Sequence, residues 1–252
     1  MKPVYFTGCG AVFNRGIYSL SSAKTWDATQ DSVETIRRDQ VLDTPLPTFG
    51  KLNLPDKLAF CAASLALESN KGCGSDRSGI CIAIPYGSLT TDMFFMESVI
   101  GSLPSPAYFS ATLPSSAISD IAIYYKFKGP DRVFCGGNSP VFETLCAAHA
   151  LLQLDKADTV IFLATWAVDS TNRTRLKEYA FQPNAAFAVL LTTVKPDNKP
   201  CCCRIVSENR HAQYDPPTEF DFCTRLTDAL RCGQKQFIPF SQSSSENYFE
   251  IV

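Results

Sequence analysis

Gly129-Pro-Asp-Arg-Val-Phe-Cys-Gly-Gly-Asn138-Ser-Pro-Val-Phe-Glu-Thr-Leu145 decides the reading of this chain. Val133–Cys135 is a short apolar strand, the two glycines make a turn, and Pro140–Leu154 has a helical pattern. In that helix Val141, Leu145, Ala148 and Leu152 fall on one stripe, the spacing of a face turned to a core. Ser139 followed by Pro140 predicts an N-cap and a first-turn proline. Junctions of this kind seat the nucleophile in many enzymes, because the helix start stabilises an anion. The residue at the junction is Asn138, a neutral amide with no nucleophile to offer at neutral pH.

The same alternation runs through the rest of the chain. Strands are predicted at Val4–Thr7, Gly79–Pro85, Val133–Cys135, Thr159–Thr165, Ala185–Val194 and Cys202–Val206. Several are unbroken apolar runs, as expected for strands covered on both faces. Helices are predicted at Pro55–Ser69, Leu89–Ile100, Ser115–Tyr125, Pro140–Leu154 and Pro217–Arg231. Strand and helix in turn make a layered α/β fold. Met1–Thr7 reads as a strand ending in a glycine turn, 11–54 as a polar insertion, and 207–218 and 238–247 as loops. With no repeat or linker, 1–252 is expected to be one domain.

Composition excludes more than it selects. The 252 residues are 45% hydrophobic and 19% charged, with a net charge of −2 and no run of like charge, which gives no support to a nucleic-acid partner. The eleven cysteines show no C-x-x-C pair and no neighbouring ligand cluster, so no metal site is expected. Cys61, Cys81 and Cys146 lie in apolar patterns, where cysteine packs as a small hydrophobe. Neither an export signal nor a membrane span is visible, and scattered thiols suit a reducing compartment, so a cytoplasmic location is expected. There is no glycine-rich nucleotide motif, and no cofactor is expected. Only His149 and His211 provide imidazole.

Four segments in order carry a resemblance. They are Val4–Val12, Lys57–Glu68, Pro106–Ile123 running on to Phe127–Pro130, and Lys156–Ala164 with the strand Asn184–Val194 beyond it. Together they resemble the N-terminal half of β-ketoacyl synthases of the thiolase superfamily, over roughly residues 1–210. The resemblance implies a layered thiolase-like half, a mixed five- to six-stranded sheet covered by helices. Counted from Gly129-Pro130, the family's nucleophilic cysteine falls on Asn138. The family's catalytic histidines come from a second half; here 207–252 stands as a shortened remnant, and His211 is in no matching motif.

This combination is similar to the chain length factors of type II polyketide and aryl-polyene systems. That type implies a non-catalytic subunit paired with a full-length β-ketoacyl synthase, shaping a tunnel for the growing acyl chain on its carrier protein. The family pairs through the strand beside the nucleophile helix, which places Phe134 at the interface. Tyr108, Phe109, Thr112 and Leu113 occupy the segment that lines the tunnel, and Phe94 and Phe95 on the preceding helix make a second layer. For all six, plain core packing is the other reading. Two other functions stay open: a short active synthase or acyltransferase using Cys135 or Cys9, and a scaffold that only stabilises its partner.

Overall fold

The computed structural model describes residues 2–14, 16–20, 22–25, 33–42, 45–68, 75–195, 201–207, 218–232, 236–239 and 247–251. In chain order the strands are β1 (Val4–Phe13), β2 (Gly16–Ser19), β3 (Ala23–Thr25), β4 (Ser78–Ile84), β5 (Asp131–Cys135), β6 (Thr159–Trp166), β7 (Ala185–Thr192), β8 (Cys201–Ser207), β9 (Gln236–Pro239) and β10 (Asn247–Ile251). The helices are α1 (Leu54–Leu67), α2 (Leu89–Ile100), α3 (Pro106–Ser110), α4 (Ser116–Tyr125), α5 (Pro140–Gln153), α6 (Ser170–Arg175) and α7 (Glu219–Cys232).

The strands form one mixed sheet in the order β5-β4-β6-β7-β1-β8-β10-β9, with the β2–β3 hairpin also attached to β1. β5, β4 and β6 are parallel, as strands joined by helical crossovers must be, and the other pairings are antiparallel. β2 takes the C-terminal part of the outer edge of β1, and β8 takes its first residues. The expected layered α/β arrangement, a mixed sheet covered by helices, is therefore present, with ten described strands where five to six were expected.

Each face of the sheet has its own core. Cys81, Ala83, Phe162, Trp166 and Phe187 point to the side covered by α5 and α7. Ile80, Ile82, Ile161, Leu163 and Leu190 point to the side covered by α1 and α4. β4 and β7 are buried at every position, which explains why their sequences are apolar without alternation. The predicted stripe of α5 faces inward: Val141, Leu145, Ala148 and Leu152 are all at most 1% exposed. Cys146 lies off that stripe and is exposed rather than packed.

The start of the chain corrects one expectation. The strand does not stop at Thr7 for a glycine turn; β1 continues through Gly8 and Gly10 to Phe13. A Cβ at Gly8 would lie 1.9 Å from the Ala66 carbonyl oxygen, and one at Gly10 would lie 2.1 Å from that of Ala62. The glycines let α1 rest directly on the strand, a use of glycine that a turn signal imitates. Residues 11–13, 16–19 and 23–25 are likewise sheet, so the supposed polar insertion at 11–54 begins as an edge hairpin. Of the predicted 207–218 and 238–247 loops, 208–217 and 240–246 lie outside the described residues, as does His211.

Candidate functional site

At the end of β5 the chain turns through Gly136 (φ 64°) and Gly137 (φ 77°), a left-handed pair that glycine enters without strain. The turn leaves Asn138 exposed in front of α5. Ser139, the expected cap, makes no capping hydrogen bond; its φ of −150° and ψ of 52° lie outside the extended conformation that aims a capping hydroxyl down the helix. Pro140 has no N–H, so the first free donors are Val141 and Phe142. Both donate to Oε1 of Glu219, at 2.8 and 3.1 Å, from 78 and 77 residues further along the chain. The cap of α5 is a carboxylate supplied by α7.

The first turn of α7 packs where that carboxylate is fixed. The Phe222 ring meets Phe142 edge-on at 5.2 Å. Phe220 meets Trp166 at 5.3 Å and Phe187 at 5.7 Å, both edge-on. Thr218 accepts from the Asp221 N–H at 3.1 Å and so holds the start of α7 in place. Burial pushes the Glu219 carboxyl up to about 7, opposed by the N–H groups of Phe142 and Val141 and reinforced by Glu143. No sequence signal points from Glu219 to Val141. The helix of α7 is legible as an amphipathic pattern, but its contact depends on how the sheet is closed.

Neither cysteine of the enzyme reading is placed as an activated thiol. Cys135 is exposed at the end of β5, and partial burial raises its pKa with no cation to lower it. Cys9 is 1% exposed inside the sheet, and burial pushes it up to about 12. His149, in the middle of α5, is half-buried; burial lowers its pKa, and its Nε2 lies 3.5 Å from Nε2 of Gln153. It is a packed helical histidine about two and a half turns from the start of α5.

The aromatic residues named for the tunnel come together between α2 and α3. Phe94 on α2 stacks on Tyr108 of α3 with ring centroids 5.7 Å apart, and Phe95 meets Phe109 at 5.4 Å. Ser105 caps α3 through the Tyr108 N–H at 3.3 Å, and the Thr112 hydroxyl donates to the Phe109 carbonyl at 2.7 Å. The rings are not core. Tyr108 is 43% exposed, Phe109 62% and Leu113 62%, while Phe94, Phe95 and Thr112 are half-buried. Met96, Ile100 and Leu103 continue this apolar shelf into solvent. Beneath Leu113 a narrow pocket is lined by Asn53, Asp56, Ser88, Thr91 and Ser116. Asp56 is buried there and pushed up to about 7 by that burial, with Ser116 and Asn53 as hydrogen-bonding neighbours and Asp120 adding to the rise.

Phe134 is half-buried on β5, the last strand of the sheet, which among the described strands pairs only with β4. Among the described residues no strand pairs with the opposite edge of β5. A separate cleft of about 410 Å3 lined by Glu34, Arg173, Phe181 and Asn184 contains none of the residues expected from sequence. Its polar groups satisfy one another: Arg173 and Val168 donate to Oδ1 of Asn184, whose amide donates to Glu34. Among the described residues there is no His, Cys, Asp and Glu cluster that would hold a metal ion, and no helix is long and apolar enough to cross a membrane.

No protein-family model matches the sequence, and no curated protein matches it. Solved structures are similar over 76% to 99% of the chain. A chain of the complex of the ketosynthase ApeO with its chain length factor ApeC from Xenorhabdus doucetiae superposes with a TM-score of 0.66 at 15% identity, covering 99% of this chain and 100% of that one. The ishigamide ketosynthase/chain length factor gives 0.62 at 16%, over 92% and 74%. A chain of the complex between a type II polyketide synthase acyl-carrier protein and its hexaketide-bound ketosynthase gives 0.58 at 15%, over 76% and 63%. This chain therefore has the thiolase-like fold of ketosynthases and chain length factors.

Proposed function

We propose that the protein is a non-catalytic chain length factor-type subunit that pairs with an active β-ketoacyl synthase in the cytoplasm. On this reading it is one domain, with 207–252 standing in for a second half. Its partner carries out condensation on acyl carrier protein thioesters in a polyketide, aryl-polyene or fatty-acid-like pathway, and this subunit supplies the wall and end of the tunnel. The observation that carries the reading is the combination of an amide at position 138, an aromatic shelf on α2 and α3 that is exposed, and a β5 strand that pairs with no described strand except β4. Such surfaces call for a partner, since a lone chain that exposes them invites aggregation.

The proposed mechanism is steric. Each CH₂ that enters an apolar tunnel gains about 0.8 kcal/mol, so extension continues until a wall stops it. Pairs such as Phe94–Tyr108 and Phe95–Phe109 stiffen one another, and displacing a packed ring costs about 1–3 kcal/mol. The test is co-expression with a full-length ketosynthase and measurement of product length for Tyr108→Ala and Phe109→Ala. A shift to longer products is expected. An unchanged product with a lower yield of complex would instead favour the scaffold reading. Condensation by this chain alone would overturn both.

A further inference from the structure

Resting on the reading of position 138 as the lost nucleophile site, we propose that the chain is disarmed twice. Asn138 removes the thiol, and the Glu219 carboxylate of α7 fills the anion-favouring start of α5, so that a thiol restored at 138 would stay unreactive. The first free N–H groups of a helix are what draw a thiol toward thiolate. Here both are already used, on a carboxylate 2.8 and 3.1 Å away. The carboxylate is held there by its own element: Phe220 and Phe222, one and three residues on, are locked against Trp166, Phe187 and Phe142. The titratable groups facing Glu219 are Glu143, a second acid, and the buried Cys223 thiol. None is a cation, so among the described residues these neighbours do not restore the lost positive field.

The test compares Asn138→Cys with Asn138→Cys/Glu219→Gln in the full chain, co-expressed with a ketosynthase where that keeps it soluble. Alkylation by iodoacetamide, in which the thiolate sulfur displaces iodide, is followed from pH 5 to 10 and read residue by residue by fragmentation mass spectrometry. The single variant is expected to react at pH 7 no faster than exposed Cys135. The double variant is expected to react about ten-fold faster, its midpoint lower by about one pH unit. Glu219→Ala, which vacates the N–H groups altogether, must accelerate the introduced thiol in the same direction. Glu143→Gln, which removes a neighbouring charge without freeing those groups, is expected to change the rate less than three-fold.

An introduced thiol already ten-fold faster than Cys135 with Glu219 in place would overturn the proposal. So would a double variant no faster than the single one, or an equal acceleration from Glu143→Gln. Alkylation reads no product and no partner, so this result and that of the chain-length test fail independently.

Discussion

The chain holds two aromatic clusters, one under α7 and one between α2 and α3, and treats them in opposite ways. Between α5, α7 and the sheet, Phe142 meets Phe222 edge-on and Phe187 meets Phe220 edge-on, and Phe142, Phe187 and Phe222 are at most 5% exposed. Between α2 and α3, rings at similar distances leave Tyr108 and Phe109 open to solvent. Local sequence does not separate the two, since both are aromatic residues at helical spacing. What separates them is a cover: α7 closes the first cluster, and no described element closes the second. A surface can thus be well ordered by its own contacts and still be unfinished.

The largest effect expected from this contrast is on folding stability. Phe222→Ala is expected to cost about 3–5 kcal/mol in urea unfolding, the range for emptying a core aromatic site. Phe109→Ala on the uncovered shelf is expected to change the stability of the isolated chain by less than about 0.5 kcal/mol. Equal losses at the two sites would erase the distinction.

A second effect comes from Asp56, below the shelf. Its carboxyl is at about 7 in the folded chain against 3.8 for the unperturbed group. The folded state therefore keeps a proton that the unfolded state releases. The resulting stability is fully present below pH 3.8 and is lost as pH rises toward 7. The decline over that window is expected to be on the order of 2–4 kcal/mol in unfolding titrations. Asp56→Asn should reduce it and leave the part due to Glu219, whose carboxyl is raised from 4.5 to about 7 over the same window; an unchanged slope would assign the pH dependence to groups other than Asp56.

Smaller effects concern the cap. Glu219→Ala should cost about 1 kcal/mol, as for other helix N-cap losses. Ser139→Ala should cost less than about 0.5 kcal/mol, because that hydroxyl makes no capping bond. A Ser139 effect as large as the Glu219 effect would return the cap to the local residue.

How much of this was legible follows from what each signal depends on. Unbroken apolar runs marked β4, β6 and β7 because strands covered on both faces need no polar side. The inward stripe of α5 was legible because helical periodicity is a property of the segment itself. Asn138, Tyr108 and Phe109 were visible by their place in the ordered resemblance, with Phe94 and Phe95 on the preceding helix, but the ring pairings were not. Gly8 and Gly10 were misread because a strand glycine under a helix and a turn glycine look alike in sequence. α3 and α6 were missed because five and six residues carry too little periodicity to stand out. The Glu219 contact was out of reach because it joins residues 78 apart, and local propensity says nothing about such a pair.

That separation has a consequence during synthesis. A ribosome completes α5 long before it reaches residue 219, so the nascent chain carries a bare helix start and the uncovered rings of Phe142, Trp166 and Phe187 until α7 emerges. A pause or a truncation in that interval presents an apolar opening of the kind that chaperones hold and proteases find. Docking of the late helix is then the event that releases the protein from surveillance.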